Sequence, residues 1–191
     1  MKSDDSSPAF SPLLGQRVML RLLDIGDAAD TQRMAGDPAI ADTTLSLPHP
    51  YLDGMAETWI AGNQENYGRG VYTTLGIAKL EDGSLLGAIA IKLSAKPFDS
   101  NGEIGYWIGK EHWGKGYCTE AAQLIVRHGF ETLGLNRIYA IHMTRNPASG
   151  RVMQKIGMQY EGCMRQLACK NGVFEDFNMY AILKQDWLSR R

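Results

Sequence analysis

A chain of 191 residues is close to the length of one domain at about 150 residues each, and its 44% hydrophobic and 21% charged residues exclude a wholly disordered polypeptide. The 20 Lys and Arg nearly cancel the 21 Asp and Glu, so a formal net charge of -1 gives no overall attraction for nucleic acid or an anionic membrane. Cys118, Cys163 and Cys169 form no Cys-x-x-Cys pair, and His49, His112, His128 and His142 have no metal-ligand spacing; the pattern fits a reduced, cytoplasmic protein without a metal site.

Residues 1–12, with Asp4, Asp5, Ser and Pro, lack the marks of a signal or transit peptide and read as a flexible tail before a single domain at 13–191. No uninterrupted apolar run approaches the roughly 18 residues of a membrane span. Val18 to Leu23 reads as the first strand, followed by a helix from Asp24 that Gly36 and Pro38 end and by a loop rich in Thr, Pro and His. Leu52, Met55, Trp59 and Ile60 share one face of a second helix reaching about Asn66. Tyr72 to Lys79 and Leu85 to Leu93 form a hairpin around Asp82-Gly83, and Glu103 to Ile108 alternates as a fourth strand. After the turn His112 to Tyr117, the spacing of Ala122, Ile125, Val126, Phe130 and Leu133 predicts a helix capped by Gly134. Arg137 to Met143 is the fifth strand, Asn146-Pro147 opens a short helix to Ile156, and Tyr160 to Leu167 and Phe174 to Ile182 complete the chain. The order predicts a mixed α/β sheet of six or seven mostly antiparallel strands with helices on both faces.

The strand, glycine turn and helix from Glu103 to Leu133 carry the chemistry. Gly114 and Gly116 allow close backbone approach, and the free N–H groups at the following helix start form an anion site, with Lys110 and Lys115 adding charge. The alternative is an ordinary strand-to-helix connection. The P-loop pattern is absent, and the third glycine of a dinucleotide fingerprint is missing.

Glu103-Ile104-Gly105-Tyr106-Trp107-Ile108, the turn Trp113 to Tyr117 followed by Thr119-Glu120-Ala121, Asn146-Pro147-Ala148-Ser149, and Lys155-Ile156-Gly157-Met158 together resemble the GNAT acyltransferase superfamily, and its ribosomal-protein N-acetyltransferase (RimJ/RimL-like) branch in particular. The resemblance runs from Leu20-Arg21 to Asp176, Tyr180 and Trp187. It implies a GNAT fold in which strands four and five splay apart around the pantetheine arm of coenzyme A. It assigns Trp107 and Ile108 to backbone contacts with that arm, and Trp113, Gly114, Lys115, Gly116, Tyr117, Cys118 and Thr119 to the pyrophosphate loop. It also brings Asn146 to pantetheine and Ser149 to the sulfur, where Ser149 would donate to the departing thiolate. Two positions depart from the family pattern: Glu111 stands where the loop often begins with Gln or Arg, and Met153 stands where many relatives carry a tyrosine that protonates the thiolate.

An amine must be neutral to attack a thioester, yet an α-amino group with a pKa of about 8 is only about a tenth neutral at pH 7. A base is needed. Glu103 is the first candidate, beside the gap and on the face of Gly105 and Trp107, with Glu161 and Asp176 in reserve; a solvated strand-end carboxylate is the competing reading. Backbone N–H groups around Ile108 suit the oxyanion. Asn146 before Pro147 is equally an N-cap. Arg151 and Lys155 serve either a solvated face or the coenzyme's 3′-phosphate. Cys118 opens a helix whose dipole would lower its pKa, the pattern of a nucleophilic cysteine, but no orienting partner accompanies it. Trp59, Tyr67 and Tyr72 line either an acceptor pocket or the core.

The expected function is transfer of acetyl from acetyl-CoA to a primary amine by direct attack, the favoured acceptor being a protein or peptide N-terminal α-amino group. The alternatives are a small amine (an amino acid, polyamine or aminoglycoside-like compound) and a non-catalytic acyl-CoA-binding module. Acceptor choice is expected in the loops Ala35 to Tyr51 and Leu93 to Gly102, where Asp37, Asp42 and Asp53 suit a cation. A monomer and a homodimer remain equally open.

Overall fold

The structure, a computed structural model, describes residues 10–68 and 72–190. Eight strands among these residues form one sheet: β1 (Leu13–Leu14), β2 (Val18–Leu22), β3 (Tyr72–Lys79), β4 (Leu85–Leu93), β5 (Asn101–Ile108), β6 (Arg137–Met143), β7 (Gln159–Lys170) and β8 (Val173–Leu183). Their spatial order is β1-β2-β3-β4-β5-β6-β8-β7. The one strand beyond the expected range is β1, whose two residues are too few to leave a periodic signal. Of the expected tail, residues 1–9 lie outside the described residues, while Phe10 sets its ring edge-on to Tyr67 at 6.0 Å.

Helices α1 (Ala28–Ala35), α2 (Pro38–Thr43), α3 (Met55–Gly68), α4 (Tyr117–Glu131), α5 (Pro147–Lys155) and α6 (Lys184–Leu188) complete the chain. Ile125, Phe130 and Met153 of α4 and α5 join Leu20, Ile77, Ile104 and Ile138 in the larger core, while Met34, Ala56 and Ile60 of α1 and α3 close over Leu23, Leu85 and Trp107 in a second. The segment after Gly36 is a helix rather than the expected loop. Asp37 accepts from the Ala39 N–H at 2.8 Å as its N-cap, and Pro38 occupies the first turn, where its missing N–H costs nothing. Leu52 is 61% exposed and precedes α3 instead of sharing its buried face. No described helix is long and apolar enough to cross a membrane.

Every pairing is antiparallel except β5 with β6, which is parallel and stops after Asn101–Arg137, Gly102–Ile138 and Glu103–Tyr139. β4 stays with β5 to Ile108, and β8 stays with β6 to Met143. Each strand is thus held on its outer side while the inner edges part, as expected for strands four and five. At the far edge of the sheet, Arg165, Gln166 and Leu167 fall between the register partners Met164–Phe177 and Ala168–Glu175, making a wide bulge. Gln166 takes φ 51° there and donates its N–H to Asp176 Oδ1 at 2.7 Å.

Candidate active site

The turn after β5 is shaped by Gly114 and Gly116, at φ 74° and 82°, and Gly116 is the N-cap of α4 with no side-chain hydrogen bond. The N–H groups of Tyr117, Cys118 and Thr119 therefore face outward without intrahelical acceptors. The turn is anchored by Trp113 Nε1, which donates to the Ile108 carbonyl at 2.6 Å, and by Arg17 Nη1, which donates to the Lys115 carbonyl at 3.0 Å. Lys115 Nζ folds back onto the Glu111 carbonyl at 2.9 Å, and Lys110 sits 3.8 Å from Asp37. Beside the helix start opens a cavity of about 740 Å³ lined by Gly116 and Thr119 and by the cationic Arg17, Arg127 and Lys155. Burial pushes the Cys118 thiol up to about 12, overriding the helix dipole, so the nucleophilic-cysteine reading does not hold. Glu111 pairs with Arg33, which holds its carboxyl below the usual range.

Strand alternation divides the candidates between two faces. Ile104, Tyr106 and Ile108 point to the α4 and α5 side, where Tyr106 Oη reaches across the parting to the Ser149 carbonyl at 3.1 Å and Ser149 Oγ at 3.0 Å. Burial, with the nearby Cys118 thiol, pushes the Tyr106 phenol far up and keeps it protonated. Ser149 N–H caps onto Asn146 Oδ1 at 3.3 Å, and Asn146 Nδ2 donates to the Thr43 carbonyl at 3.4 Å, so the N-cap reading of Asn146 is structural fact. Sequence reasoning missed Tyr106; its one signal was a hydroxyl placed on an otherwise apolar row.

On the opposite face, Glu103 stands at the last β5–β6 rung and accepts from Tyr139 Oη at 3.3 Å. A Cβ at Gly105 would meet nothing within 4 Å, so the surface beside Glu103 is open. Trp107 packs on Trp59 with centroids 6.5 Å apart, whereas Tyr67 turns to Phe10, so these aromatics do not form one pocket; the Tyr72 side chain lies outside the described residues. The assignment of Trp107 to backbone contacts across the gap needs correction. The Gly109 N–H donates to the Leu86 carbonyl, and the Trp107 carbonyl lies where a Gly87 Cβ would be, 2.2 Å away, so Trp107 turns its backbone to β4. By alternation, Tyr106 and Ile108 present theirs to the parting.

The reserve carboxylates are engaged elsewhere: Glu161 with Arg137 at 2.6 Å, and Asp176 with the bulge. Of the acids expected to greet a cation, Asp37 caps α2 and Asp42 pairs with Arg145 at 2.7 Å. Met153 is only 1% exposed and belongs to the core. No group of three or more metal-ligating side chains occurs among the described residues.

Residues 17–159 match the family model of the acetyltransferase (GNAT) domain. A Bacillus subtilis protein, YjcK, named as a probable N-acetyltransferase, is 38% identical over 91% of this chain and 98% of its own. The ribosomal-protein-serine acetyltransferase of Escherichia coli is 30% identical over 64% of this chain and 66% of its own. Among solved structures, a GNAT-family acetyltransferase from Bacillus anthracis superposes with a TM-score of 0.81 at 23% identity, covering 92% of this chain and 99% of that one. RimL, a ribosomal-protein α-N-acetyltransferase in complex with coenzyme A, gives 0.81 at 22% identity over 91% and 98%. With three quarters of its length inside that family model, the parted strands and the glycine-turned helix start belong to a chain of the GNAT acetyltransferase family.

Proposed function

We propose that this N-acetyltransferase moves acetyl from acetyl-CoA to the N-terminal α-amino group of a protein or peptide. The observation that carries the reading is the slot between β5 and β6, which leads from Glu103 to the uncapped start of α4. Its parted edges suit an extended arm bonded like a strand, and the helix start suits a diphosphate. Two glycines without Cβ atoms leave that start accessible, and Arg17, Arg127 and Lys155 border it with positive charge. Homology to the Escherichia coli ribosomal-protein-serine acetyltransferase supports a protein acceptor.

Within this reading Glu103, reached from the open face beside Gly105, removes a proton from the incoming ammonium. The inner-edge N–H groups of Tyr106 and Ile108 receive the developing oxyanion. Ser149 and the neutral Tyr106 hydroxyl solvate the departing thiolate from the other face. The backbones of Gly114 to Thr119 hold the diphosphate.

Thiol release from acetyl-CoA with a panel of N-terminal peptides, lysine-containing peptides blocked at their N-terminus, and spermidine tests the acceptor. Faster turnover with free α-amino peptides is expected. Preference for spermidine would make the protein a small-amine acetyltransferase, and calorimetric silence with acetyl-CoA would remove the coenzyme itself.

A further inference from the structure

We propose that Gly105 sets acceptor choice, its bare backbone making room for an apolar side chain on the first residue of the incoming peptide. The inference rests on the α-amino acceptor reading above. Gly105 lies inside β5, the fifth of eight strands in the sheet order, yet it is exposed. A glycine in a strand interior weakens the strand, and it marks a bulge, a crowded packing point or a place where a ligand comes close. The other strand glycines among the described residues meet one of the first two conditions. A Cβ at Gly76 would stand 3.0 Å from Leu23 and Leu85, one at Gly102 2.7 Å from Leu135, and one at Gly87 on the Trp107 carbonyl. Gly162 sits at a register shift of β7 with φ 152°. Gly105 meets neither condition: its register with β4 is unbroken, its φ is not in the left-handed range, and a Cβ would touch nothing within 4 Å.

Its neighbours give that empty space a chemistry. Glu103 and Trp107, two residues to either side, point their side chains to the same face, each about 7 Å away along the strand. Ala90 is its partner on β4, and Ile141, two residues beyond Tyr139, is the β6 residue of the same facing across the parting. Trp107 is backed by Trp59 of α3. Gly105 is therefore bordered by an indole, a methyl group and an isoleucine, with a carboxylate at one end. On the far side of Glu103 the surface turns polar: Lys92 stands beside it in register, and Arg137, two residues before Tyr139, pairs with Glu161 at 2.6 Å.

These borders fix which way the acceptor lies. Its nitrogen must meet Glu103 at the parting, so two groups on the α-carbon need places: the peptide chain and the side chain. The peptide chain carries polar amides and suits Lys92 and the Arg137–Glu161 pair. An apolar side chain gains by leaving water over Gly105, against Trp107. The coenzyme has no claim on that space. Gly105 shares the alternation of Trp107 and Gly109, so its N–H and carbonyl turn to Ala90 rather than to the parting. A side chain added at 105 thus fills the acceptor's room without touching the inner edge of β5.

Three peptides identical except for Gly, Ala or Leu at the first position test this by thiol release from acetyl-CoA. The wild-type protein should show its highest kcat/KM with the Leu peptide. Gly105→Val should lower the ratio of Leu-peptide to Gly-peptide kcat/KM at least about tenfold, and Gly105→Ala should move it the same way by less. In both variants the calorimetric Kd for acetyl-CoA should stay within about threefold of wild type, and the thermal unfolding midpoint should not fall. A wild-type preference for the Gly peptide, equal losses with all three peptides, weakened acetyl-CoA binding or a lowered midpoint overturns the role of Gly105 and leaves the α-amino acceptor reading intact. Thiol release with spermidine but with none of the peptides removes that reading, and this inference with it.

Discussion

Glu103 and Ser149 reach the parting of β5 and β6 from opposite sides of the sheet, so the proposed base and the proposed thiolate contact do not compete for one space. Glu103→Gln preserves shape and the Tyr139 contact but cannot accept a proton. Its kcat should fall by about 100-fold with acetyl-CoA affinity nearly unchanged, as read by thiol release and calorimetry. At Gly116 the backbone holds φ 82°, a conformation that costs an L side chain about 1–2 kcal/mol, and Arg17 Nη2 lies 3.2 Å from where a Cβ would stand. Gly116→Val should therefore tilt the helix start and weaken acetyl-CoA binding at least tenfold. Equal affinity in that variant would mean that the turn does not hold the diphosphate.

The connection between β1 and β2 is tied to α4 by one carboxylate. Glu120 Oε1 accepts from the N–H groups of Gln16, Arg17 and Val18 at 2.6, 2.7 and 3.3 Å, and Oε2 pairs with Arg17 at 3.0 Å. Burial alone would raise the Glu120 carboxyl, but these donors outweigh it and hold it below the ordinary value. A folded pKa below the unfolded one gives stability that is complete above the unfolded pKa of about 4 and fades as pH falls through the folded value. Glu120→Ala should thus cost about 1–3 kcal/mol near pH 7, and its deficit relative to wild type should shrink in thermal unfolding below about pH 4. The alternation of Ile104, Tyr106 and Ile108 and the periodicity of α4 were legible in the sequence, because each element buries one regular face. Helix α2 was not, since a proline reads as a stop unless the preceding Asp37 is recognised as its cap. Nor was the Tyr106–Ser149 contact, which joins residues 43 apart that only the completed sheet brings together. The Arg partners of Glu111, Glu161 and Asp42 were equally hidden, so the reserve base Glu161 and the cation-facing Asp42 both turn out to be held in ion pairs.

Across the molecule, α2 is fastened to the far side of the slot. Arg145 joins Asp42 at 2.7 Å to Glu175 at 2.8 Å, Asn146 Nδ2 reaches the Thr43 carbonyl, and Lys170 Nζ donates to the Thr44 carbonyl. Segments distant in sequence thereby form one wall, beside Ser149. Arg145→Ala should loosen it: hydrogen exchange in residues 38–44 should quicken and the KM for a peptide acceptor should rise several-fold, with acetyl-CoA affinity little changed. The rims of the sheet have a consequence of a different kind. One rim is the two-residue β1, and the other is β7, interrupted where Gln166 turns left-handed and Asp176 occupies its N–H. Neither offers a long straight template to a neighbouring copy, so despite exposed Leu167, Val173 and Phe174 nearby, the chain resists runaway fibril-like stacking at high concentration.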